Sequence, residues 1–283
     1  MLETGINVAP AEDSVEAMLG DITIILTVNL LLIIGSVLLL WLLSIPLRDV
    51  SIIDMAFAVI LLVVTTCSYL LGAAPEDRKQ LILLLVAVWA ARITWHLVRR
   101  NWGHGEDVRY SKLRTWVDDD RAFVWLSLRK VFLLQGVVLW LVSLPIQAAM
   151  ILATPPELSW VAFFGAFICV AGIIIETLAD AQLTHFRADV SKAGTVLSTG
   201  LWRYSRHPNY FGELCVWWGL FVIACENPWG LLTIIGPIAY TYLIVNVTGQ
   251  RTLDKKLARE KPGYDVYMKS TNGLIPGPPR KSE

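Results

Sequence analysis

The chain has 283 residues, of which 55% are hydrophobic and 17% are charged, and its mean hydropathy is +0.56. Soluble globular domains carry about 25% charged residues, so this composition excludes an ordinary soluble domain and an intrinsically disordered chain. The 24 basic residues balance 24 acidic ones, which argues against a nucleic-acid-binding protein. The remaining class is an all-α polytopic membrane protein.

Seven apolar windows are long enough, or nearly so, to cross a hydrocarbon core of about 30 Å, which takes about 20 helical residues. They cover residues 21–45, 52–73, 80–98, 131–153, 158–179, 211–226 and 229–247. We therefore predict about seven transmembrane helices. The sixth window is short and the fifth ends in acidic residues, so their inner ends are expected to lie in protein or water.

The distribution of basic residues predicts the orientation of these helices. With the N-terminus outside, seven spans place 21 of the 24 basic residues on the cytoplasmic side. This arrangement predicts N-out/C-in topology, an acidic extracytoplasmic leader over residues 1–20, and a polar surface that faces the cytoplasm. The four cysteines have no paired spacing typical of zinc or redox sites, so no metal site is predicted.

Seven ionisable residues lie within the apolar windows or follow them on the same helix face, and charge inside a span is costly, so a functional role is the first hypothesis. They are Asp54, Arg92, His96, Glu176, Asp180, Arg187 and Glu213. Arg92 and His96 are four residues apart and share one helix face. The alternative is structural: Arg92 could serve as the buried counter-ion of Asp54.

Residues 199–213 form the most informative polar stretch of the chain. Glycines at both ends allow close backbone approach. Between them lie guanidinium, amide and aromatic groups, which suit a ligand that carries phosphate and rings. These residues are Arg203, Tyr204, Arg206, His207, Asn209 and Tyr210. A positively charged loop that faces anionic lipid headgroups is the alternative, although it accounts for neither Asn209 nor Glu213.

This region resembles the steroid 5-alpha-reductase family, especially its bacterial branch of uncharacterised membrane proteins, and more distantly the sterol C14-reductases. The matching positions are Glu176, Asp180, Arg187, Gly200, Leu201, Tyr204, Asn209, Gly212 and Glu213. The tail, with Tyr264, Tyr267 and residues 271–276, is similar to the closing motif of that family. The resemblance covers about the last two-thirds of the chain.

The resemblance implies a helical membrane body that holds NADPH in a cytoplasm-facing cavity and reduces a polarised C=C bond in a steroid-like or other lipid enone. It implies a multi-pass protein, in this branch of the bacterial inner membrane, with a substrate side over residues 21–153 and a cofactor-binding region over 154–283. The implied cofactor-binding residues are Arg109, Glu176, Asp180, Arg187, Tyr204, Arg206, His207, Asn209 and Glu213. No GxGxxG motif follows a strand, so no Rossmann domain is expected.

The expected catalytic residues depart from the family pattern. His96 stands where the family has a tyrosine, and Asp54 is the acid nearest to the family's glutamate. By this resemblance His96, supported by Asp54, would donate a hydrogen bond or a proton to the substrate oxygen, with Tyr110 as a reserve donor. Gly194 and Thr195 replace a Tyr-Arg pair of the family, so one cofactor contact is missing or supplied by Lys192.

A second enzyme class matches part of the same stretch. Membrane methyltransferases of the isoprenylcysteine carboxyl type, which use S-adenosylmethionine, also carry an Arg-His-Pro-x-Tyr-x-Gly run followed by Asn-Pro, as in residues 206–212 and 227–228. That pattern leaves Glu176, Asp180 and Arg187 without a role, so the reductase is the preferred hypothesis. A non-enzymatic lipid-binding or scaffold protein is the third class. The expected partners are membrane lipids and a lipid-like substrate.

Overall fold

The computed structural model describes residues 11–101, 103, 105–247 and 249–280. This part of the chain is helical and contains no strand, so the all-α prediction is confirmed. The α-helices are α1 (Ala11–Leu47), α2 (Ile52–Leu71), α3 (Glu76–Asn101), α4 (Val108–Arg114), α5 (Asp120–Ser127), α6 (Leu133–Ile151), α7 (Trp160–Ala188), α8 (Pro208–Ala224), α9 (Ile235–Tyr242), α10 (Gln250–Glu260) and α11 (Tyr264–Ser270).

Six helical stretches in the described residues are long and apolar enough to cross a membrane, consistent with a polytopic membrane protein. They are 19–47 of α1, then α2, α3, residues 120–151, α7 and residues 228–260. The predicted sixth window forms α8, whose 17 residues are not among these six. The count therefore differs from the predicted seven by this short helix.

Most of the predicted windows differ from the helices in their limits or regularity, as the first and last windows illustrate. α1 begins at Ala11, ten residues before the first window, so half of the predicted leader is helical and residues 1–10 lie outside the described chain. The last window is not one regular α-helix, because a 3-10 segment at Pro228–Ile234 precedes α9 and a π-helical turn at Leu243–Val247 follows it. Pro228 at the start of the 3-10 segment suits a first helical turn, where no backbone donor is needed.

α7 and α8 cross with their backbones almost in contact, because glycines seven residues apart on each helix face one another. A Cβ atom at Gly172 would lie 2.5 Å from the carbonyl oxygen of Gly212, and one at Gly165 would lie 2.7 Å from that of Gly219. Such small residues let membrane helices approach closely and gain dispersion contacts. The pairing is antiparallel, so the C-terminal part of α7 lies beside the N-terminal part of α8.

The aromatic core next to this crossing joins α3 to α8. The rings of Trp89 and Trp217 meet edge-to-face with centroids 5.0 Å apart, and both side chains are almost fully buried. At the far end of α3 from the predicted cofactor region, the buried Arg78 pairs with Glu226 at 2.9 Å. Both contacts fix the position of α3 along the axis of α8. They therefore determine which residues of α7 Arg92 and His96 contact.

Candidate functional site

Arg92 is the centre of the buried polar cluster between α3 and α7. Its guanidinium donates one hydrogen bond to Glu176 at 2.6 Å and another to Asp180. The two carboxylates lie one helical turn apart on α7 and are 2% and 6% exposed, so each guanidinium arm meets one acid. Arg92 is therefore paired with α7, and its proposed pairing with Asp54 does not occur.

His96 and Asn209 complete this cluster around Asp180. The Nε2 atom of His96 lies 3.7 Å from Oδ2 of Asp180, and the Asn209 amide donates to Oδ1 of the same carboxylate at 3.1 Å. The structure thus brings together four residues that the sequence places on α3, α7 and α8: His96, Glu176, Asp180 and Asn209.

Two buried oxygen atoms of the cluster have no hydrogen-bond partner in the described structure. They are Oε2 of Glu176 and Oδ1 of Asn209. Buried polar atoms are nearly always satisfied in native proteins, and an unpaired one requires an explanation. Both atoms are acceptors, so the missing partner is a donor such as an amide NH₂ group or a water molecule.

Glu213 lies one turn after Asn209 on α8 and contacts α9. Its carboxylate accepts a hydrogen bond from the hydroxyl of Tyr240, whose ring meets Trp217 edge-to-face with centroids 5.6 Å apart. The carboxyl group of Glu213 on α8 also interacts electrostatically with that of Asp180 on α7. Tyr240 was not among the predicted site residues, because it lies within an apolar window and no neighbouring charge marks it.

Asp54 belongs to a second cluster, at the start of α2. Its carboxylate accepts hydrogen bonds from the Tyr110 hydroxyl at 2.8 Å, from Arg109 at 2.6 Å and from the Gln135 amide at 3.1 Å. Asp54 therefore orients Tyr110, whereas His96 lies beside Asp180. The expected support of His96 by Asp54 is therefore not found in this structure, where Asp180 is the acid beside His96.

The environment of Tyr110 keeps its hydroxyl protonated. Burial and the nearby Asp54 carboxylate raise the pKa of Tyr110 above the ordinary range of tyrosine, because both disfavour the phenolate. Arg109 also pairs with Asp107 at 3.0 Å and half of its side chain is exposed. This guanidinium is held between two carboxylates and still reaches solvent.

Arg206 and His207 form a third cluster, which joins the start of α8 to the C-terminal helices. Arg206 pairs with Asp254 at 2.7 Å and donates to the carbonyl oxygens of Met268 and Thr271. His207 is 1% exposed, and its Nε2 atom lies 2.9 Å from Asp254. The polar atoms of both residues are thus engaged within the chain, and their role as cofactor ligands stays a prediction.

The remaining predicted residues are Arg187 and Tyr204. Arg187 is exposed, and it interacts electrostatically with Asp180 and with Arg100. Tyr204 is 45% exposed, and its backbone carbonyl accepts a hydrogen bond from Gly277. Gly200, with φ of +60°, lies against Gln182, as expected of a glycine that allows close approach.

Carboxyl groups lie inside the helical bundle, and exposed guanidinium groups lie at the polar ends of the same helices. Glu176, Asp180 and Glu213 supply three carboxyl groups near the partly buried guanidinium of Arg92. Arg100 and Arg187 stand at the polar end of the same helices. A ligand with amide donors at one end and phosphate groups at the other end matches this order.

These features define the protein as an all-helical, multi-pass membrane protein with a buried acid–guanidinium cluster. A family model described as "Protein of unknown function (DUF1295)" matches residues 40–271, and the chain belongs to that family. It is 25% identical to an uncharacterized protein of Schizosaccharomyces pombe over 74% of this chain and 66% of that relative, so it spans slightly less than two thirds of the relative's length. No solved structure matches.

Proposed function

We propose that the protein is an NADPH-dependent reductase of a polarised C=C bond in a lipid-like enone. The observation that carries this proposal is the cluster of His96, Asp180 and Asn209, together with the unpaired acceptor atoms on Asn209 and Glu176. These residues come from three helices that are distant in sequence. The reductase resemblance assigns Glu176, Asp180 and Asn209 to the cofactor and His96 to the substrate oxygen. An N-out/C-in orientation would place this cluster toward the cytoplasm, where NADPH is found.

The residues present are compatible with NADPH. The carboxamide of a nicotinamide has an NH₂ group, which is the donor that the unpaired oxygens of Glu176 and Asn209 require. Arg187 and Arg100 are exposed near the cluster and are suited to phosphate groups. NADPH would supply a hydride, and the protein would supply orientation and electrostatics.

Two groups could polarise the substrate oxygen. His96 lies at the edge of the cluster, with its Nε2 atom 3.7 Å from Oδ2 of Asp180, and could donate a hydrogen bond to the substrate oxygen. Tyr110 is held by Asp54 as a protonated donor. Because the two donors belong to separate clusters, only a donor that faces the same space as the cofactor can act in the reaction, and the contact with Asp180 favours His96.

One observation favours the alternative of a methyltransferase that uses S-adenosylmethionine. Three carboxyl groups lie near the guanidinium of Arg92, and any of them that is ionised beyond the charge of Arg92 would attract a cation such as a sulfonium. The Arg-His-Pro run matches the same alternative, although Arg206 and His207 bind Asp254 in this structure.

Thermal stabilisation of the detergent-purified protein distinguishes the candidates. A ligand that binds only the folded protein at a hundredfold excess over its Kd stabilises it by about 2.7 kcal/mol. We expect NADPH to raise the melting temperature more than NADH does, and S-adenosylmethionine to leave it unchanged. Asp180→Asn should reduce the NADPH shift, whereas Asp118→Asn, which changes an exposed carboxylate outside the cluster, should not.

A shift with S-adenosylmethionine alone would refute the reductase and support the methyltransferase. No shift with any of the three compounds would contradict both enzymes and support the lipid-binding scaffold. An equal NADPH shift in the wild-type protein and Asp180→Asn would show that the cofactor binds elsewhere.

A further inference from the structure

A strongly basic hollow lies between α4 and α10, outside the acid–guanidinium cluster. It has a volume of about 410 Å³, and four cations line it: Lys112, Lys255, Lys256 and Arg259. Thr252 and Glu260 complete the lining. Lys256 lies 4.0 Å from Glu260, so one carboxylate compensates at most one of the four positive charges. The chemistry of this hollow selects an anionic ligand, and phosphate in particular.

The position of α10 indicates where this ligand comes from. The preceding helical stretch exposes large apolar side chains at Ile238, Tyr242 and Val247, as expected of a surface that faces lipid. The basic face of α10 follows within a few residues and exposes Lys255 and Arg259, which lie one turn apart. The cations therefore start where the lipid-facing surface ends.

On the α4 side of the hollow, a cation also lies next to exposed apolar side chains. Lys112 lies on α4, between the exposed apolar side chains of Val108 and Trp116, and Trp116 is 70% exposed. Tryptophan is enriched at the level of lipid headgroups, and lysine near a membrane surface extends toward phosphate. Two separate segments thus place a cation beside exposed apolar surface on the same hollow.

We propose that this hollow binds the phosphate headgroup of an anionic phospholipid from the adjacent leaflet, with the acyl chains against the exposed apolar residues of the last span. A headgroup is preferred to a soluble phosphate compound because the cations adjoin lipid-facing side chains on both walls. Lys255 and Lys256 are the main contacts, since they are exposed on α10 and line the hollow together.

The test uses the full-length protein in a neutral detergent and short-chain lipids as probes. Dioctanoyl phosphatidylglycerol is titrated against melting temperature, with dioctanoyl phosphatidylcholine as the zwitterionic comparison. Each cation near an anionic lipid is worth about fivefold in affinity. Lys255→Gln with Lys256→Gln should therefore raise the concentration of phosphatidylglycerol needed for half of the shift about twenty-five-fold.

The matched control removes two exposed cations that do not line the hollow, Arg203→Gln with Lys269→Gln. It should respond to phosphatidylglycerol as the wild-type protein does. Equal midpoints in the two double variants would overturn the proposal. A separate arm with sodium pyrophosphate and with NADPH tests for a soluble ligand: a shift that needs Lys255 and Lys256 but no acyl chain would refute the lipid assignment.

Discussion

Replacing Gly212 with alanine should push α7 and α8 apart at the point where the candidate site is assembled. The added Cβ would lie 2.6 Å from the backbone nitrogen of Glu176 and 2.7 Å from the carbonyl oxygen of Gly172. Because ordinary contacts begin near 3.4 Å, the two backbones must separate by about 0.8 Å. Neither neighbour is the flexible end of a side chain, so rotation of a side chain cannot relieve the clash.

Overpacking of this kind costs about 1–3 kcal/mol. At roughly 2–4 °C per kcal/mol, the melting temperature of the Gly212→Ala protein should fall by about 2–12 °C. Tryptophan emission during heating in detergent measures it. The displacement should also lengthen the 3.1 Å bond between Asn209 and Asp180, so the shift induced by NADPH should shrink in the same experiment.

Gly35→Ala is the matched control for this substitution. Gly35 lies within α1, and a Cβ atom built there meets no other atom within 4 Å. Alanine is the better helix former, so this variant should melt at or above the wild-type temperature. If Gly212→Ala and Gly35→Ala melted at the same temperature, close contact between α7 and α8 would be refuted.

Two other parts of the structure give measurable expectations. Arg92→Met should cost about 3–5 kcal/mol, because it leaves Glu176 and Asp180 buried without their guanidinium. A smaller loss of melting temperature than that caused by Gly212→Ala would contradict the central role of this cation. Burial and the hydrogen bond to Asp254 raise the pKa of Tyr264, so the stability that it contributes is present below about pH 10 and is lost at higher pH. Tyr264→Phe should therefore weaken the alkaline decline in melting temperature, and an unchanged decline would show that Tyr264 does not cause it.

The helical architecture and part of the site could be predicted from local sequence pattern. Long apolar windows specify helices, because backbone groups in lipid must be satisfied within the segment. The spacing of four between Glu176 and Asp180 specifies one helix face. The sixth window indicates a short helix, and α8 has 17 residues.

The partners of the buried charges could not be predicted, because they depend on the register between helices. From the sequence, Arg92 could pair with Asp54 or with the acids of α7. The sequence does not determine the axial position of α3 relative to its neighbouring helices. The role of Arg206 and His207 depends on Asp254, which is 48 and 47 residues further along the chain. In the sequence that residue is one acid in a charged amphipathic helix, and nothing marks it as the buried partner.

The bonds of Arg206 and His207 to Asp254 have a consequence for how such proteins are compared. In this chain the Arg-His-Pro run connects the terminal helices to the bundle through Asp254, so its presence can reflect assembly whether or not the run also binds a ligand. Grouping related sequences by this run would therefore group them by how the C-terminal helices are attached to the bundle. Chemical differences between such proteins should be sought at the positions of His96 and Asn209, where the side chains can still meet a ligand.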